Sequence, residues 1–248
     1  MSLQNIAIIL IRPKHPGNLG SAARAMFNMG MDRLVLVSPQ CTITEESYRL
    51  AKGGKSILDS APTCRSLKSA LRGLHFVAGT TGKSGGYRAA TRSLRSLVPR
   101  LLDYAARQKV GILFGPEDTG LTDEDLQYCQ ALIRIPTHYR APSINLAQAV
   151  MLVCYELYMG SLARDPCPVP KLAPIQQVEA MYDQLEDSLL KIGFLHPQNA
   201  RHMMFALRRM LGRAGLESSD VGILRGIARQ IAWYAKAAKS CEDSGSQK

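Results

Sequence analysis

The sequence predicts an α/β domain with a largely parallel sheet, followed by a C-terminal helical extension. Three observations predict it. Short apolar runs of strand length alternate with helix-period segments over the first two-thirds of the chain. The stretch Arg164-Asp-Pro-Cys-Pro-Val-Pro-Lys-Leu-Ala-Pro174 places four prolines in eleven residues, which cannot continue a helix and favours an extended spacer. Beyond it, apolar residues recur only at helical spacing. The expected organisation is therefore an α/β domain over residues 1–164, a linker over 165–174, a helical unit over 175–238 and a frayed tail over 239–248.

Taken in order, Ile6–Ile11 is an unbroken apolar run and reads as a buried strand. Residues 21–29 read as a helix, with Ser21 a candidate N-cap and Gly30 its stop. Arg33–Val37 is strand-like. Residues 67–71 read as helix, 75–79 as a short strand and 94–106 as a helix. Val110–Phe114 reads as a strand. Residues 122–129 read as a helix capped by Thr122, with Asp125 three residues on. A strand over 131–135 and a long helix over 144–158 complete the first domain. In the extension, Val178, Met181, Tyr182, Leu185, Leu189 and Leu190 share helical spacing. So do Met203, Met204, Leu207, Met210 and Leu211, and again Ile223, Leu224, Ile227, Ile231 and Tyr234. That makes about three helices.

The 248 residues carry 31 basic and 20 acidic side chains, a net charge of +11. Such a chain attracts polyanions, which narrows its partners to nucleic acid, an anionic membrane or an acidic protein. The excess sits in the first domain: 20 basic against 11 acidic residues over 1–164, and 11 against 9 over 165–248. No apolar stretch reaches the ~18 residues needed to span a bilayer. No basic segment precedes the first apolar run, so no signal peptide and a cytoplasmic location are expected. The six cysteines show no CxxC and no Cys/His pair at metal-ligand spacing, and read as reduced thiols. No metal site is expected.

Three strand-exit loops stand out. Residues 12–30 leave the first strand through Pro13, Pro16, Gly17 and Gly20 and open a helix. Such a loop can present backbone N–H groups and a helix N-terminus to an anion, or can simply be a turn that needs Gly and Pro for its geometry. Leu113-Phe-Gly-Pro-Glu-Asp-Thr-Gly-Leu121 sets an acidic pair between two glycines, which lets a ligand approach the backbone closely or makes a tight turn into the next helix. Ile135-Pro-Thr-His-Tyr-Arg-Ala-Pro-Ser-Ile-Asn-Leu-Ala147 brings Ser143 and Asn145 to a helix start, as a site or as an N-cap alone. The loops favour a site together, because exits of parallel strands gather at one sheet edge, where α/β ligand sites form. His15 and His138 lie in these loops, where lone histidines are more often solvated than catalytic; His75, in a strand, reads as structural.

Taken in order, Pro16-x-Asn18-x-Gly20-x-x-x-Arg24, Phe114-Gly-x-Glu117-x-x-Gly120-Leu121 and Ile135-Pro with Ser143-x-Asn145 resemble the three motifs of SpoU-type SPOUT RNA 2′-O-methyltransferases. Leu189-Leu-x-Ile-Gly-Phe194, Leu207-Arg-Arg and Ile223-Leu-Arg-Gly226 resemble the C-terminal region of the TrmJ-like tRNA branch. Two details depart from the pattern: Pro116 follows Gly115, and Ile144 stands where Leu is common. The resemblance implies a trefoil-knotted α/β domain, S-adenosylmethionine bound in the knot, and a homodimer with its active site at the subunit interface. It implies tRNA as substrate, methylated on a ribose 2′-OH at position 32 of the anticodon loop, on cytidine and uridine. The other readings are an rRNA methyltransferase of the same fold and a non-catalytic RNA-binding member.

By the same resemblance, Thr80, Thr81, Gly82, Gly115, Ile135, Ser143 and Ile144 are expected to bind the cofactor. Asn18, Arg24, Glu117, Ser143 and Asn145 match the polar active-site set. A guanidinium has a pKa above about 12, so Arg24 is expected to stay charged, orient the adjacent phosphate and stabilise developing oxyanion charge. Residues 83–109 hold seven Lys/Arg against Asp103 alone, which reads as a phosphate-tracking patch through Arg88, Arg92 and Arg95, or as a solvated helix face. Arg201, Arg208, Arg209 and Arg213 form a second cluster, and Arg201, Arg208 and Arg209 are expected to contact the tRNA backbone.

Overall fold

A computed structural model of the chain describes residues 3–82, 91–162 and 169–245, with side chains through Ala237. The chain divides into two compact units, Met1–Val169 and Pro170–Lys248.

The first unit is built on a seven-stranded sheet. Its strands are β1 (Ile6–Ile11), β2 (Arg33–Val37), β3 (Thr63–Cys64), β4 (Phe76–Thr80), β5 (Arg92–Ser93), β6 (Val110–Phe114) and β7 (Ala131–Arg134). The spatial order is β3-β2-β1-β6-β4-β7-β5, and every pairing is parallel. All six side chains of β1 are buried, as are all five of β6. That is why these two read as continuous apolar runs rather than alternating ones. Parallel strands deliver all their carboxyl ends to one edge. β1 lies between β2, next in the chain, and β6, a hundred residues later, so connections diverge on either side of it.

The helices of this unit are α1 (Pro16–Asn28), α2 (Glu45–Ala51), α3 (Lys55–Asp59), α4 (Leu67–Ala70), α5 (Leu94–Ala105), α6 (Asp123–Leu126) and α7 (Leu146–Leu162). α1 starts five residues before the expected position. Pro16 occupies its first turn, where a missing N–H costs nothing, and Ser21 lies inside the helix rather than capping it. Gly30 does end it, at φ +68°. α1 packs against α2 and α7. The α2 contact is close: a Cβ on Gly20 would stand 2.2 Å from the Ser47 carbonyl oxygen. The buried Ser47 hydroxyl donates to the Pro16 carbonyl at 2.8 Å.

The second unit consists of α8 (Ile175–Lys191), α9 (Ala200–Ala214) and α10 (Ser218–Gly245). Its core gathers Met181, Tyr182, Leu185, Met204, Val221 and Ala228. The buried Ser188 hydroxyl bridges α8 to α10 by donating to the Ala228 carbonyl at 2.9 Å. α10 extends to Gly245, into the stretch expected to be a tail. Among the described residues, no helix is long and apolar enough to cross a membrane.

Candidate functional site

The exits of β4, β6 and β7 enclose a cavity of about 250 Å³. Thr80, Thr81, Gly82, Gly115, Ile135, Ser143 and Ile144, seven residues singled out from the sequence, all line it. So do Glu117, expected in the active-site set, and Phe114, Pro116, residues 118–121, Pro142, Leu146 and Ala149, which the motifs do not assign to the cofactor. Thr80 anchors the first wall by donating from Oγ1 to the Leu113 carbonyl at 2.9 Å. The second wall folds back on itself. The Gly120 N–H donates to the Pro116 carbonyl at 2.9 Å, with Gly120 at φ +67°. A Cβ on Gly115 would lie 2.2 Å from the Gly120 carbonyl carbon, so only glycine fits there.

Three of the five polar active-site candidates form one hydrogen-bonded string. The Asn18 Nδ2 donates to Glu117 Oε1 at 2.7 Å, and the Asn145 Nδ2 donates to Asn18 Oδ1 at 3.0 Å. Asn145 Oδ1 then accepts from the backbone N–H groups of Ala147 and Gln148 at 2.9 and 3.3 Å. Asn145 thus caps α7 while it ties the third loop to the first. Glu117 also accepts from the Lys14 backbone N–H, 3.2 Å from Oε2. The carboxylate and both amides are spent largely on holding the loops to one another. Of these three, only Glu117 lines the cavity.

Arg24 stands apart. It is exposed, it does not line the cavity, and its side chain makes no hydrogen bond or ion pair among the described residues. Phe27, 52% exposed, lies three residues on along the same face of α1.

Two further links between the first and second loops were not legible in the motifs. Arg12 forms a bidentate pair with Asp125, Nη2–Oδ2 2.5 Å and Nη1–Oδ1 3.3 Å. Asp125 is nearly buried and also accepts from the N–H and hydroxyl of Thr122, both at 2.9 Å, as part of the capping box of α6. Arg12 holds φ +49°, a left-handed conformation uncommon for a residue with a side chain. Lys14 Nζ meets Asp118 Oδ2 at 2.6 Å, which lowers the Asp118 pKa. The first loop therefore grips the second at its middle and at its far end. The signal for this is an arginine placed directly after an unbroken apolar strand.

The expected phosphate contacts separate into different kinds. Arg92 is exposed and has no partner among the described residues. Arg95, 84% exposed, pairs with Glu156 at 2.7 Å and holds its carboxyl below the usual range. Arg88 lies outside the described residues. Arg201 and Arg209 are exposed. Arg208 is a correction. Its side chain is only 10% exposed, and its Nη1 donates to both carboxylate oxygens of the buried Glu179 at 2.7 and 2.9 Å. Its guanidinium also stacks over the Tyr182 ring at 4.3 Å. A buried acid on α8 must be neutralised, and Arg208 is spent on that rather than on phosphate.

Comparison with known proteins matches both units. Residues 5–155 fit the model of the SpoU rRNA methylase family, and residues 176–242 that of the C-terminal domain of the tRNA methyltransferase TrmJ. The tRNA (cytidine/uridine/adenosine-2′-O-)-methyltransferase TrmJ of Pseudomonas aeruginosa is 37% identical over 94% of this chain and 96% of its own. The tRNA (cytidine/uridine-2′-O-)-methyltransferase TrmJ of Pectobacterium atrosepticum is 34% identical over 92% and 97%. The crystal structure of TrmJ from Z. mobilis ZM4 superposes with a TM-score of 0.80, at 31% identity, over 91% of this chain and 98% of that one.

Proposed function

Since the chain belongs to the SpoU methylase family and carries a TrmJ-type C-terminal domain, we propose that it is an S-adenosylmethionine-dependent tRNA 2′-O-ribose methyltransferase. Its target is nucleotide 32 of the anticodon loop, with cytidine and uridine accepted there, and it works in the cytoplasm. One observation carries the reading: the exits of β4, β6 and β7 close one cavity, and a single string of side chains, Glu117–Asn18–Asn145, fastens the loops after β6 and β7 to the start of α1.

The cavity suits the cofactor. Leu121, Ile135, Ile144 and Leu146 offer apolar walls to a purine, while the backbone of residues 80–82 and 115–120 offers amide and carbonyl groups to its polar edges. S-adenosylmethionine supplies an activated methyl group to the acceptor oxygen. The residues then have two tasks: to place the ribose 2′-oxygen and to favour loss of its proton. Ser143, exposed at the cavity mouth, is placed to hydrogen-bond the ribose. Arg24 stays charged, orients the neighbouring phosphate and stabilises negative charge growing on the oxygen.

Arg24 meets that oxygen as part of a homodimer. It lies outside its own subunit's cavity, on α1, which packs against α7. There Leu152, Tyr155, Met159 and Leu162 form an exposed apolar stripe at helical spacing. Burying that stripe against a second copy carries each Arg24 toward the partner's cavity. The trefoil knot expected of the fold belongs to the same reading.

The test is methyl transfer from labelled S-adenosylmethionine to bulk unmodified tRNA, beside Arg24→Ala, with product nucleosides mapped by mass spectrometry. A 2′-O-methylated nucleotide 32, lost in the variant, is the expected result. Methylation elsewhere in the loop overturns the position. Transfer to ribosomal RNA alone overturns the substrate, and no cofactor binding favours a non-catalytic RNA-binding protein.

A further inference from the structure

The geometry points to a second site, a phosphate-binding cleft between β5 and β7, which holds an RNA backbone phosphate beside the nucleotide being modified. The cleft, about 250 Å³, is lined by Thr91, Arg92, Ser93, Arg134, Pro136 and Thr137. β5 is the last strand of the sheet and runs parallel to β7, with Ser93 opposite Arg134. The lining offers two guanidiniums and three hydroxyls and contains no acid. Two other arginines of this unit are neutralised, Arg12 by Asp125 and Arg95 by Glu156. Arg92 and Arg134 are both exposed, and neither guanidinium has a hydrogen bond or ion pair among the described residues.

Two unpaired forks facing one concave, hydroxyl-lined space suit a tetrahedral oxyanion with several acceptor atoms. The position identifies the source of that anion. Arg134 and Pro136 line the cleft, while Ile135 between them lines the large cavity. The two spaces thus share a wall one residue thick. An RNA strand whose ribose enters the mouth of the cavity has a flanking phosphate to place, and the cleft is the neighbouring basic recess. This inference rests on the RNA methyltransferase reading for its ligand, and the experiment separates the two.

Affinity for full-length unmodified tRNA is measured across a salt series for the wild type, Arg92→Gln, Arg134→Gln and the double variant. Cofactor affinity is measured by calorimetry on each. Each single variant is expected to weaken tRNA binding roughly tenfold near 0.1 M salt. Each also makes the log–log salt slope shallower by slightly under about one unit, the share of one phosphate. The double variant loses no more slope than a single one, because both guanidiniums serve the same phosphate, and cofactor affinity stays at the wild-type value. Unchanged slopes overturn the proposal. So does a double variant that loses twice the slope, which means two separate contacts, and so does loss of cofactor binding, which assigns the cleft to the cofactor. A wild type that transfers no methyl group, yet shows these slopes, overturns the enzyme reading and leaves the phosphate site standing.

Discussion

Replacing Asn18 by Asp tests the polar string at its centre. The Asn18 amide donates to Glu117 Oε1 at 2.7 Å and accepts from Asn145 at 3.0 Å. In Asn18→Asp the acceptor survives and the donor is lost, so a second carboxylate faces Glu117. Two unit charges 4 Å apart interact by about 4 kcal/mol at an effective dielectric constant of 20. Both residues are half-buried, so rotation and solvent screening bring the expected cost to roughly 2–3 kcal/mol. For a unit of this size that lowers the melting temperature by roughly 5–10 °C at pH 7. The pH dependence has a definite sign. Two carboxylates in contact share one proton, which raises the pKa of the pair in the folded state. The bridging proton stabilises the fold at low pH, and that contribution is lost as pH rises through the raised value. Melting curves at about pH 5 and pH 7 therefore converge on wild type at the acid end. Adding Glu117→Gln restores a donor opposite the new carboxylate and recovers most of the loss at pH 7. A gap that acid does not narrow, or a double variant no better than the single one, would refute the assigned hydrogen bond.

Arg12→Ala removes one side of a pair whose acid keeps its Thr122 donors, and urea melts are expected to show a loss of about 1–2 kcal/mol. Arg12→Gly loses the same pair but relieves the left-handed backbone, so it melts above Arg12→Ala by about 1 kcal/mol. Arg208→Gln strands the buried Glu179 carboxylate and costs about 3–5 kcal/mol in the second unit, whereas Arg209→Gln, at an exposed position, leaves the melt unchanged. Burial pushes the Tyr182 hydroxyl up to about 12. Stability of the second unit is thus full below about pH 10, the unfolded value, and falls by roughly 2–3 kcal/mol as pH rises toward 12; Tyr182→Phe abolishes that fall in alkaline melts. Met159→Glu sets a charge in the exposed stripe of α7 and is expected to shift the sedimenting species to a monomer, with methyl transfer lost and the melting temperature of the monomer little changed.

Reading the sequence located the loops but not their bonds. β1 and β6 were legible to the residue, because a strand buried on both faces leaves an unbroken apolar run between turn residues; β2, with one face only partly buried, was legible from its Leu-Val-Leu-Val run. The start of α1 was misplaced because Pro16-Gly17 reads as loop, although proline is at home in a first helical turn. α2 and α3 were not read at all. They are seven and five residues long and meet at Gly53-Gly54, too short to show a period. β3 and β5, two residues each, exist only through their neighbours in the sheet. The ion pairs were hidden for a related reason. Glu179 sits among Val178, Met181 and Tyr182 on the core face of α8, and nothing nearby in sequence announces that Arg208, 29 residues away, completes it. The same distance in the chain separated Arg208 from its expected role.

The bonds that assemble the loops have a consequence for how the protein is made. Asn18–Glu117, Arg12–Asp125 and Asn145–Asn18 join residues 99, 113 and 127 positions apart. Contacts this distant form late, because the chain entropy of closing long loops is lost before any of them contributes. A nascent chain that has not yet reached Asn145 can hold helices and most of its sheet, yet it has no means of fastening the third loop to the first. Binding at the cavity therefore reports that the first unit has finished folding, and a cofactor or analogue that binds there stabilises only chains in which it has.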